Sequence, residues 1–334
     1  ARSTMMWILV PPVNHESIDG AICDFNSWRK RGWCRLEFAA SKLCAGDDMP
    51  CMVITSATAT PEYCAPCDIF KLCAGRGDFT VDSDRDAVND TLTKMLRAKV
   101  EQYAKEDITL SRMMQVFSPL FVPRQAYYGA EGPGGLDQLK SFLKWRSDAE
   151  EAAWEAETGW NLLTLACTMD DGPAIDDLLS QDAATVERLF AAKGNDMCGA
   201  GKKNAPLRRR EPLGQKLMDY ANGMAPLVAA ATFCSRPTFE KLLDVGGTAA
   251  VERDGLGLLG VRPCLFKGAI ISGNHENVSL ILERYPQYAN AVNPDSGCCP
   301  LHMACGTAAC RGQKQVMEAL LASPAKESLN SVVA

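Results

Sequence analysis

The segment GMAPLVAA at residues 223–230 has three counterparts in the second half of the chain. These are GWNLLTLA at 159–166, VRPCLFKG at 261–268 and GCCPLHMA at 297–304. All four windows share a central leucine and end in alanine or glycine, and an apolar stretch with helical spacing follows each. A pattern that recurs in this way indicates repeated helix pairs, in which each pair buries its apolar face against its neighbours.

Local signals in these windows favour a turn followed by a helix. Pro226 and Pro300 stand at the predicted first residue of a helix. The backbone N–H at that position has no acceptor within the helix, so proline, which lacks this N–H, loses no hydrogen bond there. Asn161 can cap the first helix through its side chain. Gly273, within AIISGNHENVSLILE at 269–283, is predicted to end a first helix in the left-handed conformation.

The windows resemble the turn and first-helix signature of ankyrin repeats, a glycine followed by Thr-Pro-Leu-His and a small residue. The stretch at 269–283 is similar to the inter-helix turn and second helix of that family. The resemblance implies an ankyrin-repeat helical solenoid over 158–325, with a tail at 326–334. The proline position falls at 162, 226, 264 and 300, so the spacings are 64, 38 and 36, whereas the family period is about 33.

The longest spacing has two interpretations, a further repeat or an insertion. We favour a basic loop insertion at 194–214, which is rich in glycine, proline and basic residues and lacks a helical period. A helix-pair bundle without repeat relationship is the alternative for the whole region. The basic side chains of the loop are interpreted as solvated, with phosphate binding or an import signal as alternatives.

The ankyrin resemblance implies a protein-binding surface, because repeat solenoids present turn tips and a concave helix face to partners. Trp160, Met224, Arg262 and Cys298 lie just before the repeat helices. We therefore predict that these four residues contact a protein partner. The function expected from this half is a protein–protein interaction scaffold or signalling adaptor.

The first part of the chain has an α/β pattern. Short apolar runs at 5–13 and 52–55 predict buried strands, and apolar residues at intervals of three to five predict a helix over 28–44. This order implies a parallel sheet with a crossover helix. An amphipathic helix is predicted over 80–103, and the domain boundary is predicted within the broken pattern of 104–135.

The motif WCRLE at residues 33–37 resembles the Trp-Cys-x-x-Glu helix of TIR domains. The longer phrase SWRKRGWCRLEFAA at 27–40 is similar to TIR-like segments that precede ankyrin repeats in multidomain signalling proteins of unicellular eukaryotes. The resemblance implies a partial TIR-like, flavodoxin-like parallel α/β domain at 1–125. A linker with a helix would then occupy 126–157. Because TIR domains in general associate with one another, the resemblance also implies self-association through this domain.

In TIR enzymes that hydrolyse NAD, the motif glutamate acts at the ribose next to the nicotinamide, and it maps to Glu37. A carboxylate there can stabilise an oxocarbenium-like centre. The alternative function is therefore a TIR-type NAD hydrolase (NAD glycohydrolase), incomplete in this chain because the first strand, helix and second strand of that fold are absent. In the competing interpretation Glu37 is a polar residue at the edge of a packed helix, with Trp33 and Leu36 in the core. Asn26 or Ser27 is the predicted cap of the helix over 28–44.

Composition excludes several function classes. Thirty-five basic and 41 acidic residues give a formal net charge of −6, so no bulk positive field would attract nucleic acid or anionic lipid. The run from Met5 to Val10 is far shorter than the about 20 residues that span a bilayer. We expect no membrane segment, no secretory signal and a cytoplasmic location. Since a strand pattern starts within five residues of Ala1, which is not an initiator, a fragment is expected.

The 15 cysteines are interpreted as small apolar residues, buried and reduced. Cys64-Ala-Pro-Cys67 has the first half of a zinc-knuckle spacing but no second pair nearby, so we expect no metal site. His302 occupies the histidine position of the ankyrin signature, where an imidazole bonds the backbone of a turn. No cofactor is expected, and an interaction protein is preferred to an enzyme.

Overall fold

A computed structural model of the chain describes residues 4–44, 49–64, 72–129, 134–181, 224–253, 265–292, 298–306 and 313–323. The chain divides into two compact units, and the described residues up to 129 belong to the first and those from 134 to the second. The first unit combines a small sheet with helices, whereas the described part of the second unit contains helices without strands. A mixed α/β part followed by a helical part is the organisation expected from the sequence.

The sheet of the first unit is built from short strands. The described strands are β1 (Met6–Leu9), β2 (Val13–Asn14), β3 (Ile22–Cys23), β4 (Cys51–Ile54) and β5 (Glu62–Tyr63). β1 pairs with β4 in parallel, with Met6 opposite Cys51, and β5 pairs with β4 antiparallel. β2 and β3 form a separate hairpin. The predicted parallel strand pair is confirmed, although the first strand is shorter than 5–13.

The helix predicted over 28–44 is two helices, α1 (Phe25–Lys30) and α2 (Gly32–Leu43). Between them Arg31 has an extended backbone with ψ 130°, which interrupts the helical hydrogen bonds. The cap of α1 is Asp24, whose carboxylate accepts the Ser27 N–H at 2.8 Å, rather than Asn26 or Ser27. The Ser27 hydroxyl accepts the Asp24 N–H at 2.8 Å in return, which makes a reciprocal capping box.

Three further helices complete the described first unit: α3 (Asp84–Glu106), α4 (Ile108–Val116) and α5 (Arg124–Tyr128). α3 confirms the amphipathic helix predicted over 80–103, and it packs against α2 and α4. Val88, Leu92 and Leu96 of α3 are fully buried, at the four-residue spacing that places them on one face. The core of this unit therefore lies around α3.

The second unit begins with α6 (Leu136–Phe142) and α7 (Asp148–Thr158), followed by helix pairs. The pairs are α8 (Leu162–Met169) with α9 (Gly172–Gln181), α10 (Pro226–Phe233) with α11 (Arg236–Arg253), α12 (Leu265–Ser272) with α13 (His275–Arg284), and α14 (Pro300–Gly306) with α15 (Gln313–Ala322). Residues 126–157, predicted as a linker, thus contribute α6 and α7, and the Leu136 N–H donates to the Asp177 carboxylate of α9 at 3.1 Å.

The first three pairs share one local geometry, an eight-residue first helix and a turn of two residues before the second helix. Asn161 caps α8 by accepting the Thr164 N–H at 2.9 Å, and Pro226 occupies the first turn of α10, both as predicted. Gly273 has a φ of 73°, so the predicted left-handed end of α12 is confirmed.

The pairs stack in chain order. α8 packs against α10, α10 against α12 and α12 against α14, while α13 lies between α11 and α15. Gly268 of α12 makes one of these approaches feasible, because a Cβ there would collide with the Thr232 hydroxyl of α10. Leu242 of α11, Leu280 of α13 and Leu320 of α15 are buried, whereas Leu321 of α15 is 38% exposed.

No described helix is both long enough and apolar enough to cross a bilayer.

Candidate protein-binding surface

The four residues predicted to contact a partner do not form one surface. Trp160 and Met224 are buried, with 1% and 5% of their surface exposed, and Cys298 is half-buried. Arg262 lies outside the described residues. The large apolar side chains of Trp160 and Met224 belong to the core of the second unit, where burial of apolar surface stabilises them. The structure therefore corrects the prediction for these two residues, because neither presents a contact area to a partner.

A different row of residues distinguishes the repeats. The seventh position of the four sequence windows holds Leu165 in α8, Ala229 in α10, Lys267 in α12 and Met303 in α14. Leu165 and Ala229 are completely buried, whereas Lys267 and Met303 are half-buried. The same position is thus covered in the first two pairs and accessible in the last two.

One helical turn later, Met169 of α8 is completely buried, whereas Phe233 of α10 and Ile271 of α12 are half-buried. Ile271 lies four residues after Lys267, so both side chains occupy one face of α12. α12 packs against α14, which carries Met303 at the position equivalent to Lys267. We call Lys267, Ile271 and Met303 the α12–α14 surface.

Buried amides of the second helices fix this surface in place. The Asn277 side chain of α13 is completely buried, and its Nδ2 donates to the carbonyl oxygens of Ala231 and Cys234 at 3.1 and 3.0 Å. Gln313 Nε2 of α15 donates to the Ile270 carbonyl at 2.6 Å. These carbonyls lie at or near the ends of α10 and α12, where helical backbone groups lack intrahelical partners. Each second helix is thereby joined to the first helix of the preceding pair.

A thiol makes the corresponding link between the first two pairs. Cys234, 1% exposed, donates from Sγ to the Cys167 carbonyl at 3.0 Å. Burial raises the pKa of the Cys234 thiol well above its ordinary range. The thiol therefore stays protonated, which suits a hydrogen-bond donor and not a nucleophile.

Ion pairs on the solvent side join the second helices of neighbouring helix pairs. Arg284 of α13 contacts Glu240 and Asp244 of α11 at 2.9 and 2.6 Å, and Arg236 contacts Glu283 at 2.6 Å. The hydrogen bond that Arg284 donates to the Asp244 carboxylate raises the pKa of Arg284. These side chains are partly exposed, so each ion pair contributes little to the stability of the fold. The solvent side of α11 and α13 is thus charged but internally paired.

Glu37, the predicted catalytic residue, is an exposed side chain on α2 and has no hydrogen-bond or ion-pair partner in the part of the chain that the structure describes. Leu36 is buried as expected, but Trp33, also expected in the core, is 46% exposed, and its indole N–H donates to the Asp84 carboxylate at 3.0 Å. Burial raises the pKa of the neighbouring Cys34. The motif therefore forms a helix edge, with Trp33 joining α2 to the start of α3.

The described residues contain no cluster of three or more His, Cys, Asp or Glu side chains that could hold a metal ion. Cys64 is buried, and Cys67 lies outside the described residues. Nδ1 of His302 accepts the Cys299 N–H at 3.2 Å within its own turn at the start of α14, rather than bonding the backbone of a neighbouring turn in the described residues. Sequence reasoning missed Asn277, although a polar residue within the apolar period of 269–283 was a visible signal.

Comparisons of the chain with protein-family models, curated proteins and solved structures find no match.

Proposed function

We propose that the second unit is an ankyrin-type solenoid that binds a protein partner through the α12–α14 surface, as an interaction scaffold or signalling adaptor. The observation that supports it is the change in the seventh-position row, from buried in α8 and α10 to accessible in α12 and α14. In stacked helix pairs each pair contacts only its neighbours, so one row of equivalent positions forms a continuous strip. An accessible strip of this kind is the surface that solenoids offer to partners.

The chemistry of the strip fits a protein ligand. Ile271 and Met303 present aliphatic and thioether surface on adjacent helices, and methionine adapts to differently shaped partners. Lys267 lies beside Ile271 on the same helix face, so the strip is apolar with a polar edge, and a partner that offers apolar side chains is the best complement. Gln313 bonds the Ile270 carbonyl of α12, and Asn277 joins α13 to the end of α10, so the stack around α12 is ordered before a partner binds, which lowers the ordering cost of binding.

For the first unit we propose a TIR-like association module without catalysis. The parallel pairing of β1 with β4 across α2, and WCRLE in the first turns of α2, support this resemblance. The exposed position of Glu37, away from any described polar partner, favours association over NAD cleavage.

The test compares two double variants of the full chain. In Ile271→Asp with Met303→Asp, both carboxylates fall on the α12–α14 surface, whereas Val292→Asp with Leu321→Asp places the same charges at positions 51% and 38% exposed elsewhere in the second unit. Proteins retained by the wild type and by the control but lost by the first variant are identified by mass spectrometry. Binding of the purified partner is then measured by calorimetry.

We expect the first variant to bind at least about tenfold more weakly and the control to remain within about twofold. Both variants should keep the wild-type circular dichroism spectrum and melting temperature, because the substituted side chains are not core residues. Equal affinity of the wild type and the first variant would remove the α12–α14 surface from the proposal.

A further inference from the structure

The chain contains two sequences of the form Asn-x-Ser/Thr, the acceptor motif of N-glycosylation. They are Asn89-Asp90-Thr91 in the first unit and Asn277-Val278-Ser279 in the second. In a protein that carries N-linked glycans, an occupied motif lies in a surface loop, because the glycan is bulky and remains in water. Both motifs of this chain lie within helices instead, α3 and α13.

The acceptor nitrogen of the second motif joins two helix pairs. Asn277 is completely buried, and its Nδ2 donates to the carbonyl oxygens of Ala231 and Cys234 at 3.1 and 3.0 Å. The Ala230 carbonyl oxygen lies 3.4 Å from the same nitrogen. All three carbonyls belong to the end of α10 or to its cap, so Nδ2 points at the preceding helix pair. A sugar attached to this nitrogen would have to occupy the space between α13 and α10.

The acceptor of the first motif is also enclosed. Asn89 is 9% exposed and lies in α3 next to Val88, which is completely buried. A Cβ added at Gly75 would collide with Oδ1 of Asn89, so the side-chain amide packs directly against the backbone of that glycine. Because the amide nitrogen shares one planar group with this oxygen, a sugar on the nitrogen would displace the contact.

We propose that Asn89 and Asn277 are N-glycosylation acceptors in the unfolded chain alone, and that a glycan on either one blocks the native fold. The transfer forms a bond between Nδ2 and the anomeric carbon of an oligosaccharide. It breaks the bond from that carbon to the diphosphate of a lipid-linked donor, and one hydrogen of Nδ2 leaves as a proton. The chain therefore reaches its native fold in a compartment without N-glycosyl transfer.

Packing and hydrogen bonding both oppose a glycan at these positions. Protein interiors are close-packed, so a buried side chain that gains a sugar forces its neighbours apart. The sugar hydroxyls would enter the interior without partners, and Nδ2 of Asn277 would keep one hydrogen where it now contacts three carbonyls. This inference concerns where the chain folds, and it holds whichever partner the α12–α14 surface binds.

Expression of the full chain in eukaryotic cells, with and without a cleavable secretory signal, tests the proposal. Thr91→Ala combined with Ser279→Ala removes both motifs and keeps both asparagines. Thr91 is exposed and Ser279 is half-buried, so neither substitution empties the core. Glycans are detected by treatment with a peptide N-glycosidase and mass spectrometry, and the fold is assessed by limited proteolysis.

The matched control adds Ser56→Asn to this double variant. The substitution precedes Ala57 and Thr58, so it creates one motif in the exposed loop between β4 and β5. The Ser56 hydroxyl accepts the Ala59 N–H at 2.9 Å, and an asparagine side chain makes the same kind of turn. The control thus carries a glycan in the secretory compartment at a site where the fold leaves room for it.

We expect the secretory wild type to be glycosylated and digested at least about tenfold faster than the form without the signal. The double variant and the glycosylated control should both be digested at the slow rate. A glycan on Asn89 or Asn277 without faster digestion would overturn the proposal, and so would a secretory wild type without glycans at either position. A double variant digested as fast as the secretory wild type would also overturn it, since the compartment and not the glycan would then block folding.

Discussion

Two halves of one helix stack differ in what they show to solvent. The first helices α8 and α10 have almost every side chain buried, whereas α12 and α14 keep Lys267, Ile271 and Met303 partly accessible. The local geometry of α8, α10 and α12 is the same, with eight-residue helices and two-residue turns. The local geometry of the helix pairs therefore does not determine which positions are accessible, and the side chains at equivalent positions do.

The sequence of each helix explains the difference. LLTLACTM and PLVAAATF have no charged residue, and a helix that is apolar on every side must be buried. LFKGAIIS carries Lys267 in the same register, and lysine is almost never fully buried without a partner. The contrast is therefore encoded locally and can be broken by exchanging residues at the seventh position.

The largest expected effect follows from Ala229→Lys. The new ammonium would lie at a completely buried position of α10, which costs several kcal/mol when no partner charge is present. We expect the second unit to lose at least about 3 kcal/mol of unfolding free energy, measured by urea denaturation with circular dichroism. Met303→Lys, the matched control, should change it by less than about 1 kcal/mol. Similar losses for both would show that the two halves are equally covered.

Asn277→Ala should have the next largest effect. It removes two close hydrogen bonds to the carbonyls of Ala231 and Cys234 and leaves those groups buried without that donor. The expected cost is about 2–3 kcal/mol by the same denaturation measurement. Glu276→Ala, the exposed neighbour on α13, is the control and should cost less than about 0.5 kcal/mol. A cost for Asn277→Ala as small as that of the control would mean that the amide does not hold the pairs together.

These contrasts show how much of the structure the sequence reveals. Local signals predicted the Asn161 cap, the left-handed Gly273 and the parallel strand pair, because each depends on neighbouring residues or on one short connection. The bonds of Asn277 could not be predicted, since the accepting carbonyls lie 43 to 47 residues away in sequence. Trp160 looked like a turn tip from spacing alone, and spacing does not show whether a turn points inward.

The exposure of one face of β1 in the first unit was not predicted, for a related reason. A short apolar run predicts a strand but cannot tell whether one or both of its faces are covered. Residues 5–13 were expected to form a buried strand, yet alternate residues Trp7 and Leu9 are exposed. Of the candidate site, Cys298 is the described residue that remains partly accessible, and the α12–α14 surface needed the structure.

Arg284→Ala tests the ion pairs that join α11 to α13. Removal of contacts with Glu240 and Asp244 should cost about 1 kcal/mol or less at low salt, and the difference should shrink at high salt as the charges are screened. Lys314→Ala removes an ion pair within α15 and should have a smaller effect. A loss for Arg284→Ala that persists at high salt would point to packing of the arginine stem instead.

The smallest effect is expected for Glu37→Ala in the first unit. An exposed carboxylate without a described partner should contribute less than about 0.5 kcal/mol to stability. Nicotinamide release from NAD, followed by chromatography, should be the same for wild type and variant. Release that is abolished by the substitution would instead establish the NAD-hydrolase alternative.

Hydrogen exchange of the second unit with and without its purified partner tests the central claim most directly. We predict slower exchange in residues 265–272 and 298–306 when the partner is bound, and no change in α8. Protection confined to α11 and α13, or to the first unit, would contradict the assignment of binding to the α12–α14 surface.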